Sequence, residues 1–352
     1  MIETTAYSDI LLDANQAIGG DVDGPSVEIA AALNRWINRR LRFAWYYDLW
    51  PDLRTIEKRQ FRADWAIGTT YAATSLGTPV EVYYRPAETY YQALKASTGE
   101  YPATWNGSEW VENSAYWAEC AAEYSDSDWA ESTVYAVGDI VRNAVGAGAD
   151  FEYYQCITVH TSGTVWATHA AKFAILVPFI RSIAFNQSWE NQIGLIHSRS
   201  CYAKDPRIYS QPWLSINIFP DYFTVYTDLN EVWVDYHAAF RRLEGSAWAT
   251  GAYAVGAKVY YDTTGDYYEC IATVATEAPT DTGHWERLVI PAVLADYVAQ
   301  GAAADYLGKA ERRLPEYGTA EDEAYFLLER ELDKLTRQQG QNRTTTIVRA
   351  YA

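Results

Sequence analysis

The spacing of apolar residues predicts helices at both ends of the chain. After Pro25, apolar residues recur every three or four positions and form one helix face: Ala30, Leu33, Ile37, Leu41 and Ala44. The same segment carries a separate basic stripe, Arg35, Arg39 and Arg42. A shorter helix precedes it and ends at Gly19-Gly20, because glycine suits the residue after a helix. The sequence therefore predicts two helices within residues 1–60.

The C-terminal segment predicts two further helices joined by a loop. The apolar face of the first, which opens at Pro291, is Leu294, Val298, Ala302 and Tyr306, and that of the second includes Leu328, Leu332 and Leu335. Thr319 and Asp322 have the spacing of a capping box, so we expect the second helix to begin there. Residues 1–60 and 290–340 should form one helical bundle, followed by an extended arm over 341–352.

Between the helical ends, one β-type pattern occurs three times. In two copies, a Tyr-Tyr pair is followed by five turn residues and a second Tyr-Tyr pair; the first pair begins at Tyr83 in one copy and at Tyr260 in the other. A third copy, with a longer turn, contains Tyr153-Tyr154. Each copy starts with a Trp and a Tyr: Trp65 and Tyr71, Trp129 and Tyr135, Trp248 and Tyr253. Such self-similarity indicates one supersecondary unit used repeatedly. We name the copies module 1 (62–122), module 2 (126–176) and module 3 (246–289).

The fold class expected from these patterns is α+β. It combines the helical bundle with three small antiparallel β-modules inserted between its two halves. Residues 177–245 separate modules 2 and 3 and have alternating apolar positions typical of strands, so they predict a β platform.

Charge and cysteine content narrow the classes of function. The chain has 46 acidic and 28 basic residues and a formal charge of −18, which disfavours sequence-independent binding of nucleic acid. A channel through which DNA slides is compatible with this sign. Cys120, Cys156, Cys201 and Cys270 lie far apart, so we interpret them as reduced core residues of an intracellular assembly rather than zinc ligands or disulfides.

The sequence contains no motif that predicts catalysis, a cofactor or a membrane. It has no nucleophile elbow, P-loop or HExxH motif, and its five histidines have no paired-ligand spacing. The N-terminus lacks the pattern of a signal peptide, and nowhere do 18 apolar residues run together. We therefore expect neither an enzyme nor a protein with a metal, cofactor or membrane partner.

The repeated modules resemble the small chitin- and cellulose-binding modules appended to glycosidases. Module 2 matches their pattern best, through Trp129, Tyr135, Gly138, Asp139, Val141, Tyr154, Cys156 and His160. The resemblance implies that exposed aromatic residues stack on sugar rings, and the candidates here are Trp129, Tyr135, Tyr154, Trp248 and Tyr268. The alternative is that these residues fill the small cores of the modules.

The frame around the modules resembles the head-to-tail connector adaptors of tailed bacteriophages. Residues 33–53, 232–240 and 321–341 carry this resemblance. It implies a structural protein of the virion neck, assembled in the host cytoplasm as a twelve-copy ring beneath the portal protein. It also implies contact with tail or further neck proteins, genomic DNA passing through the lumen without sequence recognition, and β-modules that decorate the outside.

Two surfaces are candidate subunit or portal contacts. Arg35, Arg39 and Arg42 form either a solvated helix face or a subunit contact, with contact to DNA phosphates as a minor alternative. The arm contributes Asn342, Arg343, Ile347, Val348, Arg349 and Tyr351, which either dock on the portal or a neighbour or are disordered as many termini are. The rival function is a carbohydrate-binding protein with three chitin-type modules.

Overall fold

The chain is a mixed α+β protein that divides into two compact units. The computed structural model describes residues 3–47, 50, 53–124, 127–144, 151–187, 191–310 and 315–338. We call Met1–Arg54 with Ala239–Ala352 the helical unit and Thr55–Ala238 the β unit. The finer division into six segments stays a prediction.

The helices and strands follow the order expected from the sequence. The α-helices are α1 (Tyr7–Ala17), α2 (Val27–Trp45), α3 (Trp166–His169), α4 (Ala292–Ala310) and α5 (Pro315–Gln338). The strands of the first half are β1 (Thr4–Thr5), β2 (Arg54–Gln60), β3 (Thr70–Tyr71), β4 (Glu81–Tyr84), β5 (Thr89–Ala93), β6 (Ser97–Thr98), β7 (Ala103–Trp105), β8 (Trp110–Glu112), β9 (Trp117–Glu119), β10 (Val134–Tyr135), β11 (Ile140–Ala144) and β12 (Phe151–Cys156). Those of the second half are β13 (His160–Thr161), β14 (Phe173–Leu176), β15 (Ser182–Ala184), β16 (Ile193–Tyr202), β17 (Ile216–Ile218), β18 (Tyr222–Val225), β19 (Glu231–Ala238), β20 (Ser246–Ala247), β21 (Lys258–Tyr261), β22 (Asp266–Cys270), β23 (Trp285–Arg287) and β24 (Ile290–Pro291).

Helix α4 is the centre of the helical unit, because α1, α2 and α5 all pack against it. Most of the apolar stripes predicted for α2 and α4 is buried in one cluster, together with Ala324 and Leu328 of α5: Leu33, Ile37, Leu41, Ala44, Leu294, Val298 and Ala302. Tyr306 is partly buried against this cluster, and Ala30 is half-buried outside it. Ser26 caps α2 by accepting a hydrogen bond from the backbone N–H of Ile29. The N- and C-terminal helices therefore do pack in one unit.

The predicted start of α5 at Thr319 was wrong. The helix begins at Pro315, so Thr319 and Asp322 lie inside it and not at its end. Proline is favoured in the first turn of a helix because its missing N–H has no partner there anyway.

The three modules share one strand arrangement. Each has a central hairpin with the same register: Val82 pairs with Tyr91 in module 1, Val141 with Tyr154 in module 2, and Val259 with Tyr268 in module 3. A closing strand then pairs with the second strand of each hairpin, through β9, β14 and β23. Cys156 and Cys270 are free, buried thiols at equivalent positions, as predicted.

The repeated Tyr-Tyr pairs have one tyrosine on each face of the sheet. In module 1, Tyr84 and Tyr91 belong to the core of the module, whereas Tyr83 and Tyr90 pack into the larger core of the β unit. In module 3, Tyr267 lies in the cluster of the helical unit and forms an edge-to-face contact with Tyr7 of α1. Because strand side chains alternate between faces, the pair gives each module a core and a docking side at once.

The stretch 177–245 supplies five of the six strands in two three-stranded sheets, and β2 supplies the sixth. Strands β15, β18 and β17 form one, and β16, β19 and β2 form the other. The inward residues Ile183, Phe223, Val232 and Val234 are fully buried in one cluster. Residues 226–230 join β18 and β19, which belong to different sheets.

Candidate functional site

The outer face of α2 is the basic stripe predicted from the sequence. Arg35, Arg39 and Arg42 are all exposed, on the side opposite the buried Leu33, Ile37 and Leu41. Within the part of the chain that the structure describes, none of the three forms an ion pair with a carboxylate. Arg39 lies over the ring of Trp36, with its guanidinium carbon 5.4 Å from the ring centre. The stripe is therefore a set of positive charges that face solvent.

Two aromatic residues extend this surface toward the C-terminal end of α2. Phe43 is 43% exposed and Tyr46 is 37% exposed. Phe43 also touches Tyr325 of α5, at 6.0 Å between ring centres. Arginine and aromatic residues together are the composition that protein interfaces favour. We call Arg35, Arg39, Arg42, Phe43 and Tyr46 the basic face.

A buried ion pair fixes the inner side of α2 beneath this face. Arg40 donates from Nε and Nη2 to the two carboxylate oxygens of Asp305 in α4, at 2.7 and 2.8 Å. Both side chains are buried, and Arg40 Nη1 also donates to the Tyr297 hydroxyl at 3.5 Å. Two planar hydrogen bonds to one carboxylate fix direction as well as distance. The orientation of α2 on α4 is therefore set by a specific contact as well as by apolar packing.

The electrostatics of the pair keep Arg40 charged. Burial alone would lower the pKa of Arg40, but the hydrogen bonds that Arg40 donates to Asp305 and Tyr297, together with the charge of Asp305, outweigh it and raise that pKa. Burial raises the pKa of Tyr297 to about 12. The sequence does carry a signal for this contact, because Arg40 and Asp305 are charged residues on otherwise apolar helix faces.

Asn38 provides a second fixed contact on the inner side of α2. Its side-chain amide donates to the Leu243 carbonyl at 2.9 Å, and its side-chain oxygen accepts from the Leu243 N–H at 2.8 Å. Leu243 precedes module 3 along the chain. The connection into module 3 is thus tied directly to α2.

The predicted glycan-stacking residues lie in the module cores. Trp129 and Tyr154 are half-buried against Val141, Cys156 and Phe173, and Tyr135 is buried among them. In module 3, Tyr268 is buried in that module's own core, and Trp248 is half-buried against this core. This placement agrees with the core-filling alternative, and sugar stacking by these five residues stays a prediction.

An exposed pair of tryptophans lies instead on a hairpin of module 1. Trp105 and Trp110 are cross-strand partners in β7 and β8, with ring centres 5.6 Å apart. They are 54% and 37% exposed, and Trp110 contacts Tyr84 of the module core at 5.9 Å. Asn106-Gly107 at the turn is a known hairpin signal that could have revealed this pair from the sequence.

The predicted C-terminal arm has no described counterpart. The arm residues Asn342, Arg343, Ile347, Val348, Arg349 and Tyr351 lie outside the described residues. Among the residues that are described, no group of three or more His, Cys, Asp or Glu side chains is placed to hold a metal ion. None of the described helices is both long and apolar enough to cross a membrane.

Comparison with known proteins gives no relative for this chain. No protein-family model, no curated protein and no solved structure matches it. Function must therefore be argued from the residues and surfaces themselves.

Proposed function

We propose that the chain is a structural virion protein, a head-to-tail adaptor that assembles as a ring beneath the portal of a tailed phage. The observation that carries the proposal is the basic face of α2. It offers three arginines without carboxylate partners among the described residues, in a chain whose net charge is −18. A rigid, charged helix face on an otherwise acidic protein is suited to a specific protein contact.

The basic face is better suited to another protein than to DNA. A chain with 46 acidic residues repels the phosphate backbone at long range, and three arginines on one helix face are few against that repulsion. The same overall charge suits a lumen through which genomic DNA slides without sequence recognition. We therefore propose that the basic face contacts a neighbouring subunit in a ring around a channel.

The resemblance of residues 33–53 and 321–341 to phage adaptors supports the same proposal. These segments include most of α2 and α5, which both pack on α4 in the helical unit. In the proposed ring, about twelve copies meet the portal on one side and the tail or further neck proteins on the other. The arm over 341–352 would dock on the portal or on a neighbouring copy, and the modules would decorate the outside.

The proposal is tested by the assembly state of the purified full-length protein. Sedimentation velocity over a range of concentrations, with negative-stain imaging alone and with the portal protein, should show rings of more than two copies. The triple change R35E/R39E/R42E should lower assembly while the melting temperature stays close to wild type. A wild-type protein that remains monomeric at high concentration and beside its portal would overturn the proposal.

The exposed Trp105–Trp110 pair favours a second candidate function, carbohydrate binding. Flat aromatic rings that are already ordered can stack on a sugar at little cost in entropy. Titration of the full chain with chitin and cellulose oligosaccharides, read by tryptophan fluorescence, would show saturable binding that W105A/W110A removes. Binding that is absent, or that survives this double substitution, would exclude the hairpin as a sugar site.

A further inference from the structure

An open groove of about 620 Å³ lies in the stretch 177–245 of the β unit. It is lined by β16, by β17 with the residues just before it, and by the residue that follows β18. Sites for small ligands have volumes of about 300–1,000 Å³. Six of the lining side chains carry a charged or hydrogen-bonding group: Ser198, Arg199, Trp213, Ser215, Asn217 and Tyr226.

A bulge in β16 presents one wall of the groove. Between two paired positions, β16 has four residues, 197–200, where β19 has one. The His197 N–H donates to Oγ of the buried Ser200 at 3.1 Å, which holds the bulge closed. Ser198 and Arg199 lie between them, are exposed and line the groove. Bulges redirect side chains in this way and are frequent next to active sites.

Hydrogen bonds fix the other wall of the groove. The Leu214 N–H donates to the Cys201 carbonyl at 2.7 Å, and the Tyr226 N–H donates to the Ser215 carbonyl at 3.0 Å. The Asn217 side-chain amide also donates to the Tyr226 hydroxyl at 2.6 Å. Side chains that are ordered before a ligand arrives lose less entropy when it binds. The groove is therefore a largely preformed surface.

Arg199 differs from the other six arginines of the β unit. Arg181 donates to two backbone carbonyls, and the remaining five form ion pairs with carboxylates. These five are Arg59, Arg62, Arg85, Arg142 and Arg207. Among the described residues, Arg199 has neither kind of partner, and its guanidinium carbon lies 4.5 Å from the centre of the Trp213 ring. A guanidinium stacked on an aromatic ring keeps N–H groups that suit a carboxylate.

Two aromatic rings of the groove are open to solvent. Trp213 is 49% exposed and Tyr226 is 63% exposed. A sugar ring has an apolar face of C–H groups, which packs on flat aromatic rings, and a rim of hydroxyls, which needs hydrogen-bonding partners. Hydroxyl and amide groups suited to that rim are present on Ser198, Ser215 and Asn217.

We propose that this groove binds an acidic saccharide, a sugar chain whose units carry carboxylates. A carboxylate pairs with Arg199, and the sugar ring packs against the exposed area of Trp213 and Tyr226. The site goes beyond the proposed ring and does not depend on it. It also differs from the Trp105–Trp110 hairpin, both in its residues and in the charge of its ligand.

The net charge of −18 opposes an acidic ligand at a distance but not at contact. At 0.15 M salt, exposed charges more than about 8 Å apart are largely screened. Hydrogen bonds between a guanidinium and a carboxylate act at contact and are about twice as strong as neutral ones. Binding is therefore measured at this salt concentration.

Three matched ligands, each titrated into the full-length protein by isothermal titration calorimetry, test the proposal. Trigalacturonate has sugar rings and carboxylates, its methyl ester has the rings without the charges, and an end-blocked tri-glutamate has the charges without the rings. We expect saturable binding of trigalacturonate and binding of the other two that is weaker by about tenfold or more. A sialic acid trimer, titrated in parallel, covers an acidic sugar with its carboxylate at a different ring position.

Single substitutions locate the binding. Arg199→Ala should weaken the binding of the acidic sugar by about tenfold or more and leave that of the methyl ester unchanged, because the ester has no carboxylate. Trp213→Ala should weaken both. Arg85→Ala, which removes an exposed arginine that does not line the groove, and W105A/W110A should both bind as the wild type does. Circular dichroism checks that every variant is folded.

The outcomes separate the parts of the proposal. If neither acidic sugar binds, the proposal is overturned. Equally tight binding of the methyl ester would remove the role of Arg199, and equally tight binding of tri-glutamate would remove that of the sugar ring; either result overturns the acidic-saccharide assignment. Unchanged affinity in Arg199→Ala would place the binding outside the groove. None of these results bears on the ring, which is judged by the assembly of the wild type.

Discussion

Arg40 of α2 and Asp305 of α4 form a buried ion pair with two hydrogen bonds between the two helices. Taking two charges out of water costs several kcal/mol, and good geometry roughly offsets that cost. Such a pair adds little net stability over apolar residues. It does, however, disfavour every arrangement in which either charge is buried alone. We infer that the pair fixes how α2 lies on α4, and with it the direction of the basic face.

Removing one partner of this pair should strongly lower the stability of the protein. Asp305→Ala removes both hydrogen bonds that the buried Arg40 guanidinium donates to this carboxylate, so we expect a loss of about 3–5 kcal/mol in the free energy of unfolding. Urea unfolding followed by far-UV circular dichroism measures this. The double change R40M/D305L, which replaces both charges by apolar groups, should recover most of the loss. A loss under about 1 kcal/mol for Asp305→Ala would contradict the prediction.

Gly301 of α4 has no side chain, and this leaves room for the side chain of Arg40. A Cβ at position 301 would lie 2.9 Å from Arg40 Cδ and 3.1 Å from its Cγ. Alanine stabilises a helix by about 1 kcal/mol relative to glycine, but here it pushes against a side chain that the ion pair holds. We therefore expect Gly301→Ala to destabilise the wild type and to stabilise R40A/D305A. Urea unfolding of the four proteins measures both signs, and a stabilising effect in both backgrounds would show that Arg40 moves freely.

The periodicity of apolar residues was enough to find α2 and α4, because their buried faces repeat every three or four residues. It was not enough for the start of α5, where a capping-box pattern at Thr319 competed with Pro315 and the proline began the helix. Both residues are good helix starters, and local sequence does not rank them. Which one begins the helix depends on packing against α4, which a local pattern does not contain.

For the candidate surfaces, too, some features follow from the local sequence, whereas others depend on residues that are distant along the chain. The exposure of Arg35, Arg39 and Arg42 follows from their angle to the apolar stripe, so the sequence predicts it. The burial of Tyr135 and Tyr268 does not follow from the repeat pattern, because exposed sugar platforms and core aromatics have the same residue types and spacing. The Arg40–Asp305 pair joins residues 265 positions apart, and only the fold brings them together.

Module 1 contains one tryptophan that packs in its core and another that lies on its surface. Trp117 is fully buried and its indole N–H donates to the Glu100 carbonyl at 2.9 Å, whereas Trp105 is 54% exposed. Trp117→Ala should cost about 3–5 kcal/mol in the free energy of unfolding through the cavity it leaves. Trp105→Ala should change it by about 0.5 kcal/mol or less. Urea titration of both variants checks the contrast, and equal losses would mean that the hairpin is part of the module core.

The stability of the helical unit should fall at alkaline pH because of Tyr297. Burial raises its pKa to about 12 from an ordinary value of 10.0, so the folded state favours the neutral phenol. That stabilisation is complete below pH 10, where the unfolded tyrosine is also protonated, and is lost as the pH rises toward 12. The loss is on the order of 2 kcal/mol. Burial also raises the pKa of Tyr7, which adds to the same trend.

Tyr297→Phe is the variant that tests this assignment. In this variant the free energy of unfolding should decline less steeply between neutral pH and pH 12. The variant also loses the hydrogen bond that Arg40 donates to the Tyr297 hydroxyl. Tyr209→Phe, which removes an exposed phenol of the β unit, serves as the control. A decline of equal slope in Tyr297→Phe and wild type would assign the alkaline transition to other tyrosines.

Salt should weaken assembly if the basic face forms the subunit contact. The Debye length falls from about 30 Å at 0.01 M salt to about 3 Å at 1 M, so exposed charges lose most of their mutual attraction over that range. We expect the concentration for half-assembly, measured by sedimentation velocity, to rise steadily with salt. The variant R35Q/R39Q/R42Q, whose basic face is neutral, should assemble more weakly at low salt and depend less on salt, because that face no longer carries charges that salt can screen. Assembly that strengthens with salt in both proteins would instead indicate a contact formed mainly by Phe43 and Tyr46, since added salt favours burial of apolar area once charges are screened.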